Sequence, residues 1–113
     1  MNRRDRIILQ KIVEESTVLA TMLDGIDESA FLANEEKMRA TCMTLLNIGE
    51  LVKNMTDDFR RSNQQIPWKD IAGLRDVTAH GYFTLRMPDI WIYATKELPV
   101  YAESIRKILV EVE

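Results

Sequence analysis

The fold is decided by residues 34–59, which read NEEKMRATCMTLLNIGELVKNMTDDF. Asn34 is a typical N-cap residue, and Glu35 and Glu36 are favourable at the positive end of the helix that follows it. Apolar or small residues then recur at spacings of three and four, which is the period of one helix face. The pattern predicts a single long helix whose seam suits a partner helix packed nearly antiparallel. The seam consists of Met38, Cys42, Leu45, Gly49, Val52, Met55 and Phe59.

Helical patterns continue on both sides of this stretch. An apolar stripe over about residues 3–23 predicts a first helix that stops at Gly25, and Asp27 is placed to cap a short turn over residues 28–33. After a polar link over residues 60–65, Pro67 suits the first position of another helix, which we expect to end near Gly81.

The last helix is predicted from Pro88 to about Val112, with a bend or break at Pro99. Strand alternation and internal repeats are absent from the sequence. The prediction is an all-α protein, an antiparallel four- to five-helix bundle, with residues 1–113 forming a single domain.

Composition places the chain among globular proteins, because 46% of its 113 residues are hydrophobic and 29% are charged. The longest apolar runs fall far short of the ~20 residues that cross a bilayer. The apolar stretch behind the N-terminal arginines is only residues 7–9, too short for a signal-peptide core. We therefore expect a cytoplasmic protein.

Cys42 and His80 are the only residues of their types, so the chain has no internal disulfide and no His/Cys zinc site. The apolar surroundings of Cys42 predict a buried, inert thiol. Acidic clusters with ligand-like spacing are also missing. We expect neither a metal nor a cofactor.

The net charge of −3 argues against broad nonspecific nucleic-acid binding. The charge is unevenly distributed, however. Residues 1–11 and residues 59–87 each carry about +3, so the rest of the chain is strongly acidic. This distribution is compatible with a localised basic site.

The stretch with chemical content is residues 66–83, IPWKDIAGLRDVTAHGYF. On an ideal helix Arg75 and His80 lie about 140° apart, so they converge only if the helix ends near residues 79–81 and His80 turns back over its last turn. A helix C-terminus also favours the imidazolium form of His80.

An arginine beside a histidine suits cleavage of a phosphodiester. The guanidinium binds phosphate oxygens and stabilises the charge that develops on phosphorus, and the imidazole transfers protons near neutral pH. RNA supplies its own nucleophile, the 2′-hydroxyl, and the expected product end is a 2′,3′-cyclic phosphate. The same residues also have ordinary roles: Arg75 and His80 as surface or capping groups, Tyr82 as a packing aromatic and Asp76 as a local ion-pair partner.

The sequence closely resembles the HEPN family, and within it the HepT-like toxins of toxin–antitoxin pairs. The resemblance covers nearly the whole chain and is strongest at residues 47–50 (NIGE), at residues 66–75 and in the Arg-x4-His-x-Tyr motif of Arg75, His80 and Tyr82. Asp76 occupies a position where the family often has Asn.

The resemblance implies a homodimer in which two copies of the motif meet in a cleft and cut RNA without a metal. It implies that a partner antitoxin, an MntA-like nucleotidyltransferase, transfers AMP to Tyr82, which places negative charge beside the site. Two His80 side chains would share the acid and base roles. Asp76 would orient His80, and Glu50 either contributes to the site or only pairs with Arg75.

Three functions remain open from the sequence. The first is a metal-independent ribonuclease toxin that requires Arg75 and His80. The second is a non-catalytic HEPN module that binds a nucleotide or a nucleotidyltransferase partner. The third is a structural helical dimer with a decayed site.

Overall fold

The computed structural model describes the backbone of residues 1–80 and 86–112, and the side chains of these ranges apart from 77–80 and 112. Within these ranges the chain forms helices and no strand, which confirms the predicted all-α fold. The helices are α1 (Arg3–Leu23), α2 (Glu28–Leu32), α3 (Glu35–Lys53), α4 (Asp57–Ser62), α5 (Trp68–His80), α6 (Met87–Ile92) and α7 (Leu98–Val112), and a π-helical turn at Tyr93–Glu97 joins α6 to α7.

The described chain contains four long helical segments, since α6, the π turn and α7 follow one another without a break, and two short helices, α2 and α4. Lys37 near the start of α3 donates a 2.8 Å hydrogen bond from Nζ to the carbonyl oxygen of Met22 near the end of α1. Conversely, Asp5 near the start of α1 contacts Thr56, just beyond the end of α3. The two helices therefore run antiparallel, as the bundle prediction requires.

The predicted helix starts are confirmed by their caps. The Asn34 side chain accepts a hydrogen bond from the Lys37 amide, and the Asp27 side chain accepts one from the Ala30 amide. Gly25 has a φ of 78°, the left-handed conformation that favours glycine and stops α1.

The prediction of one helix through Phe59 is wrong. α3 ends at Lys53 and α4 begins at Asp57, because Thr56 caps a new helix by accepting a hydrogen bond from the Phe59 amide at 3.2 Å. Asp5, which is buried, fixes this cap: its carboxylate accepts from the Thr56 amide at 2.9 Å and from the Thr56 hydroxyl at 2.7 Å. Met55 and Phe59 still reach the core from the new direction.

The last helical segment is not broken at Pro99. The departure from α-geometry lies just before it, in the π turn at Tyr93–Glu97. A wider turn suits this place, since Pro99 has no N–H for a regular helical hydrogen bond and its ring crowds the preceding turn.

The core joins all the long helices around side chains with almost no exposed surface. They include Leu9, Ile12, Leu19, Phe31, Leu45, Ile48, Ile71 and Ile105. None of the described helices is both long and apolar enough to span a membrane. One side of the α3–α5 pair faces solvent rather than the core, and the candidate site lies on this side.

Candidate active site at the α3–α5 contact

Helices α3 and α5 are in close backbone contact at Gly49. A Cβ atom at this position would lie 2.6 Å from the backbone nitrogen of Arg75 and 3.1 Å from the carbonyl oxygen of Ile71. A side chain there would force the two backbones apart, since real Cβ atoms do not approach other atoms so closely. The expectation that Gly49 permits another backbone to approach is confirmed, and the backbone it admits is that of Arg75.

The Arg75 guanidinium is held by carboxylates from both helices. Its Nε lies 2.6 Å from Oε2 of Glu50, on α3, and its Nη1 donates a 3.1 Å hydrogen bond to Oδ1 of Asp76, on α5. All three side chains reach solvent, with exposed fractions of 39%, 49% and 61% for Arg75, Glu50 and Asp76. The structure thus brings together three of the five predicted site residues.

These contacts suit a phosphate-binding arginine. Both ion pairs are exposed, and such pairs are worth only about 0.2–1 kcal/mol. A phosphate, which forms two parallel hydrogen bonds with a guanidinium, can displace them. The arrangement therefore positions the guanidinium and leaves it accessible to a ligand.

The other two predicted site residues are not fully described. His80 is the last residue of α5, and its side chain lies outside the described residues, as does Tyr82 entirely. The predicted helix end near Gly81 falls outside them too. The convergence of His80 with Arg75 and the role of Tyr82 stay predictions.

The described residues offer neither a metal site nor a reactive thiol. Among the described side chains, no three His, Cys, Asp or Glu residues cluster as a metal site would require. Cys42 is buried, as predicted, and burial raises the pKa of its thiol. A thiol of this kind is a weak nucleophile, because the thiolate is the reactive form.

A basic groove lies about one helical turn from Glu50 and Arg75, and the localised basic charge predicted for residues 59–87 accounts for all but one of its basic residues. It has a volume of about 480 Å³, and its charged lining residues in the described chain are Lys53, Arg60, Arg61 and Lys69. Three of these belong to the basic segment of residues 59–87, but Lys53 comes from α3. The signal that could have found it is its position three residues after Glu50, which places both on one face of α3.

The chain is similar to a known protein family and to several relatives. The family described as "Ribonuclease HepT-like" matches residues 10–108. A candidate RNase from Caldanaerobacter subterraneus is 36% identical over 104 residues, covering 92% of this chain and 93% of its own length. A candidate RNase from Methanocaldococcus jannaschii is 31% identical over 114 residues, covering all of this chain and 94% of the relative.

A third relative, a candidate ribonuclease HepT from Thermococcus cleftensis, is 28% identical over 108 residues, or 96% of this chain and 98% of its own. No solved structure matches the chain. The family match covers most of the chain, including Glu50, Arg75 and Asp76, and the relatives align over nearly their whole length. The chain belongs to the HepT-like ribonuclease family.

Proposed function

We propose that this protein is a metal-independent endoribonuclease toxin of a toxin–antitoxin pair, acting in the cytoplasm as one domain over residues 1–113. The observation that carries the proposal is the exposed Arg75 guanidinium, placed by the Gly49 contact and held by Glu50 and Asp76 in a member of a ribonuclease family.

The reaction proposed is transesterification within RNA. The 2′-oxygen attacks the neighbouring phosphorus as its proton leaves to a base, and the bond from phosphorus to the 5′-oxygen breaks as that oxygen takes a proton from an acid. The products are a 2′,3′-cyclic phosphate and a 5′-hydroxyl. Arg75 exchanges its carboxylate partners for the phosphate oxygens and stabilises the negative charge that grows on them in the transition state.

His80 is the proposed proton-transfer group, since it is the only histidine in the sequence and imidazole is the side chain best suited to proton transfer near neutral pH. A single imidazole cannot act as base and acid at the same instant, and Arg75 does not give up its proton. A homodimer that brings two copies of the site together would supply two His80 side chains. Asp76, one residue after Arg75, would then orient an imidazole as well as hold the guanidinium.

The proposed control is covalent. An MntA-like nucleotidyltransferase antitoxin would transfer AMP to Tyr82, two residues after His80. The added phosphate is negative and bulky, so it would repel the RNA backbone and compete for Arg75.

The test is cleavage of mixed cellular RNA in EDTA by the purified protein, with the product ends identified. We expect cleavage that survives chelation, leaves 2′,3′-cyclic phosphate ends and is lost in His80→Ala. Lys107→Gln, on the exposed face of α7, is the control and should cut like the wild type. If the unmodified wild-type protein cuts no RNA, the proposal fails and a non-catalytic HEPN module that binds a nucleotide or the nucleotidyltransferase becomes the better account.

A further inference from the structure

The basic groove beside the active site lies on the same outward face of the α3–α5 pair. Lys53 is one helical turn after Glu50 on α3, and Ala72, which also lines the groove, is one turn before Arg75 on α5. Residues three apart on a helix share a face, and one turn advances about 5.4 Å along the axis. The groove therefore begins about one turn from the Glu50–Arg75 ion pair.

The groove is positively charged. Its charged lining residues in the described chain are all basic, although the protein as a whole is acidic with a net charge of −3. Arg60 and Arg61 are each paired with an aspartate of α4, at 2.5 Å. Lys53 and Lys69 are exposed, and neither forms an ion pair or hydrogen bond with any residue that the structure describes.

The groove is also lined by a tightly packed residue. Trp68 lines the groove but is buried, and its ring packs at a tilted angle against Phe59 with ring centroids 5.9 Å apart. Its indole N–H donates a 2.9 Å hydrogen bond to the Asn63 carbonyl oxygen. These contacts tie the start of α5 to α4. The basic side chains are therefore carried by packed helices rather than by a loose loop.

We propose that this groove binds the backbone phosphates of the RNA strand that flanks the scissile bond, with Lys53 and Lys69 as the main contacts. The inference rests on the proposed ribonuclease function and names the path of its substrate. A flexible anionic strand whose scissile phosphate binds Arg75 would continue along this face, because its next phosphates meet unneutralised ammonium groups there. Contacts to phosphates add affinity without reading sequence.

Binding can be measured apart from cleavage with a single-stranded RNA of about ten nucleotides whose 2′-hydroxyls are all methylated. This strand keeps its phosphates but has no nucleophile, so it binds without being cut. The affinity should be measured across a series of salt concentrations for the wild type and for Lys53→Gln/Lys69→Gln. We expect about tenfold weaker binding at 0.1 M salt, and a slope of log affinity against log salt that is smaller by about 1.4, roughly 0.7 for each lost phosphate contact.

The matched control is Lys96→Gln/Lys107→Gln, which removes the same charge from exposed lysines on the π turn and α7. It should bind within about twofold of the wild type, and Lys53→Arg/Lys69→Arg should restore the wild-type slope. An equal loss of RNA affinity in the groove variant and the control variant, or no loss in either, would contradict the proposal that the groove binds RNA. Cleavage of the unmethylated strand by the wild type tests the proposed function separately: if that strand is cut while the groove variant binds normally, the ribonuclease stands and the groove proposal falls.

Discussion

Two contacts in which a carboxylate links different helices of this protein differ in their burial and in the partners of the carboxylate. Asp5 is 2% exposed, and both of its carboxylate oxygens accept hydrogen bonds from Thr56 at the cap of α4. Glu50 is about half exposed and forms an ion pair with Arg75, itself reachable by solvent. A buried carboxylate whose oxygens are both hydrogen-bonded stabilises the fold, whereas an exposed ion pair can exchange its partner for a ligand.

Breaking the buried contact between Asp5 and Thr56 should lower the free energy of unfolding the most. In Asp5→Ala the Thr56 amide and hydroxyl lose their acceptor inside the protein, and hydrogen bonds to a charged group contribute about 1.5–3 kcal/mol each. We expect the free energy of unfolding, measured by urea denaturation, to fall by about 3 kcal/mol.

The control for that variant is Asp58→Ala, which removes a carboxylate that is 91% exposed and pairs with Arg61 on α4. It should change the free energy of unfolding by less than about 0.5 kcal/mol. An Asp5→Ala protein as stable as Asp58→Ala would show that the cap of α4 does not depend on the buried carboxylate.

Gly49→Ala should have an intermediate effect that links the fold to the site. Alanine favours a helix over glycine by about 1 kcal/mol, but a Cβ 2.6 Å from the Arg75 nitrogen must push α5 away, and such overpacking costs about 1–3 kcal/mol. The clash outweighs the helix preference. We expect a net loss of about 1 kcal/mol in thermal or urea unfolding, together with slower RNA cleavage because Arg75 shifts relative to Glu50.

Gly73→Ala supplies the matched control on α5, since a Cβ at Gly73 would meet no described atom within 4 Å. The same substitution should there raise stability by up to about 1 kcal/mol. If both glycine variants were stabilised alike, the α3–α5 contact would be looser than the structure indicates.

The smallest effect is expected at the exposed ion pair. Glu50→Gln removes the charge that competes with RNA phosphate for Arg75, and an exposed pair is worth only about 0.2–1 kcal/mol. We expect KM for RNA to fall about two- to threefold while kcat stays within about twofold.

Glu103→Gln, which removes the carboxylate that pairs with Arg106 on α7, should leave both constants unchanged. A large fall in kcat for Glu50→Gln would instead assign Glu50 a part in the chemistry, the other alternative left open by the sequence.

Local signals in the sequence predicted much of the fold. Asn34 and Asp27 cap helices as expected, Gly25 stops α1, and Gly49 lies at a close backbone approach. Each of these depends on neighbouring residues or on the size of one side chain. The break after Lys53 does have a local signal, since Thr56 followed by Asp57 and Asp58 is a typical helix start, but the buried partner of this cap, Asp5, is 51 residues from Thr56 in the chain. Apolar periodicity continued through Phe59 and gave no sign of that partner.

The candidate site is likewise predictable from the sequence only in part. The motif around Arg75 predicts a phosphate-binding arginine, and the ion pair between Glu50 and Arg75 is compatible with both roles predicted for Glu50, a part in the site or pairing alone. The part of Lys53 cannot be predicted from local spacing alone. Gly49 lies beside Arg75 and the later residue Lys53 lies near the earlier residue Lys69, so α3 and α5 run in opposite directions, and only this packing brings the two lysines into one groove.

We propose that the exposed Arg75 serves the reaction rather than the fold. The most direct measurement compares Arg75→Gln with Arg39→Gln, a variant of another exposed, ion-paired arginine on α3, for the rate of RNA cleavage in EDTA and the free energy of unfolding. We predict that Arg75→Gln cuts about 100- to 1000-fold more slowly, the usual cost of losing one transition-state charge contact, while its stability stays within about 1 kcal/mol of the wild type. Cleavage by Arg75→Gln at the rate of Arg39→Gln would contradict the claim.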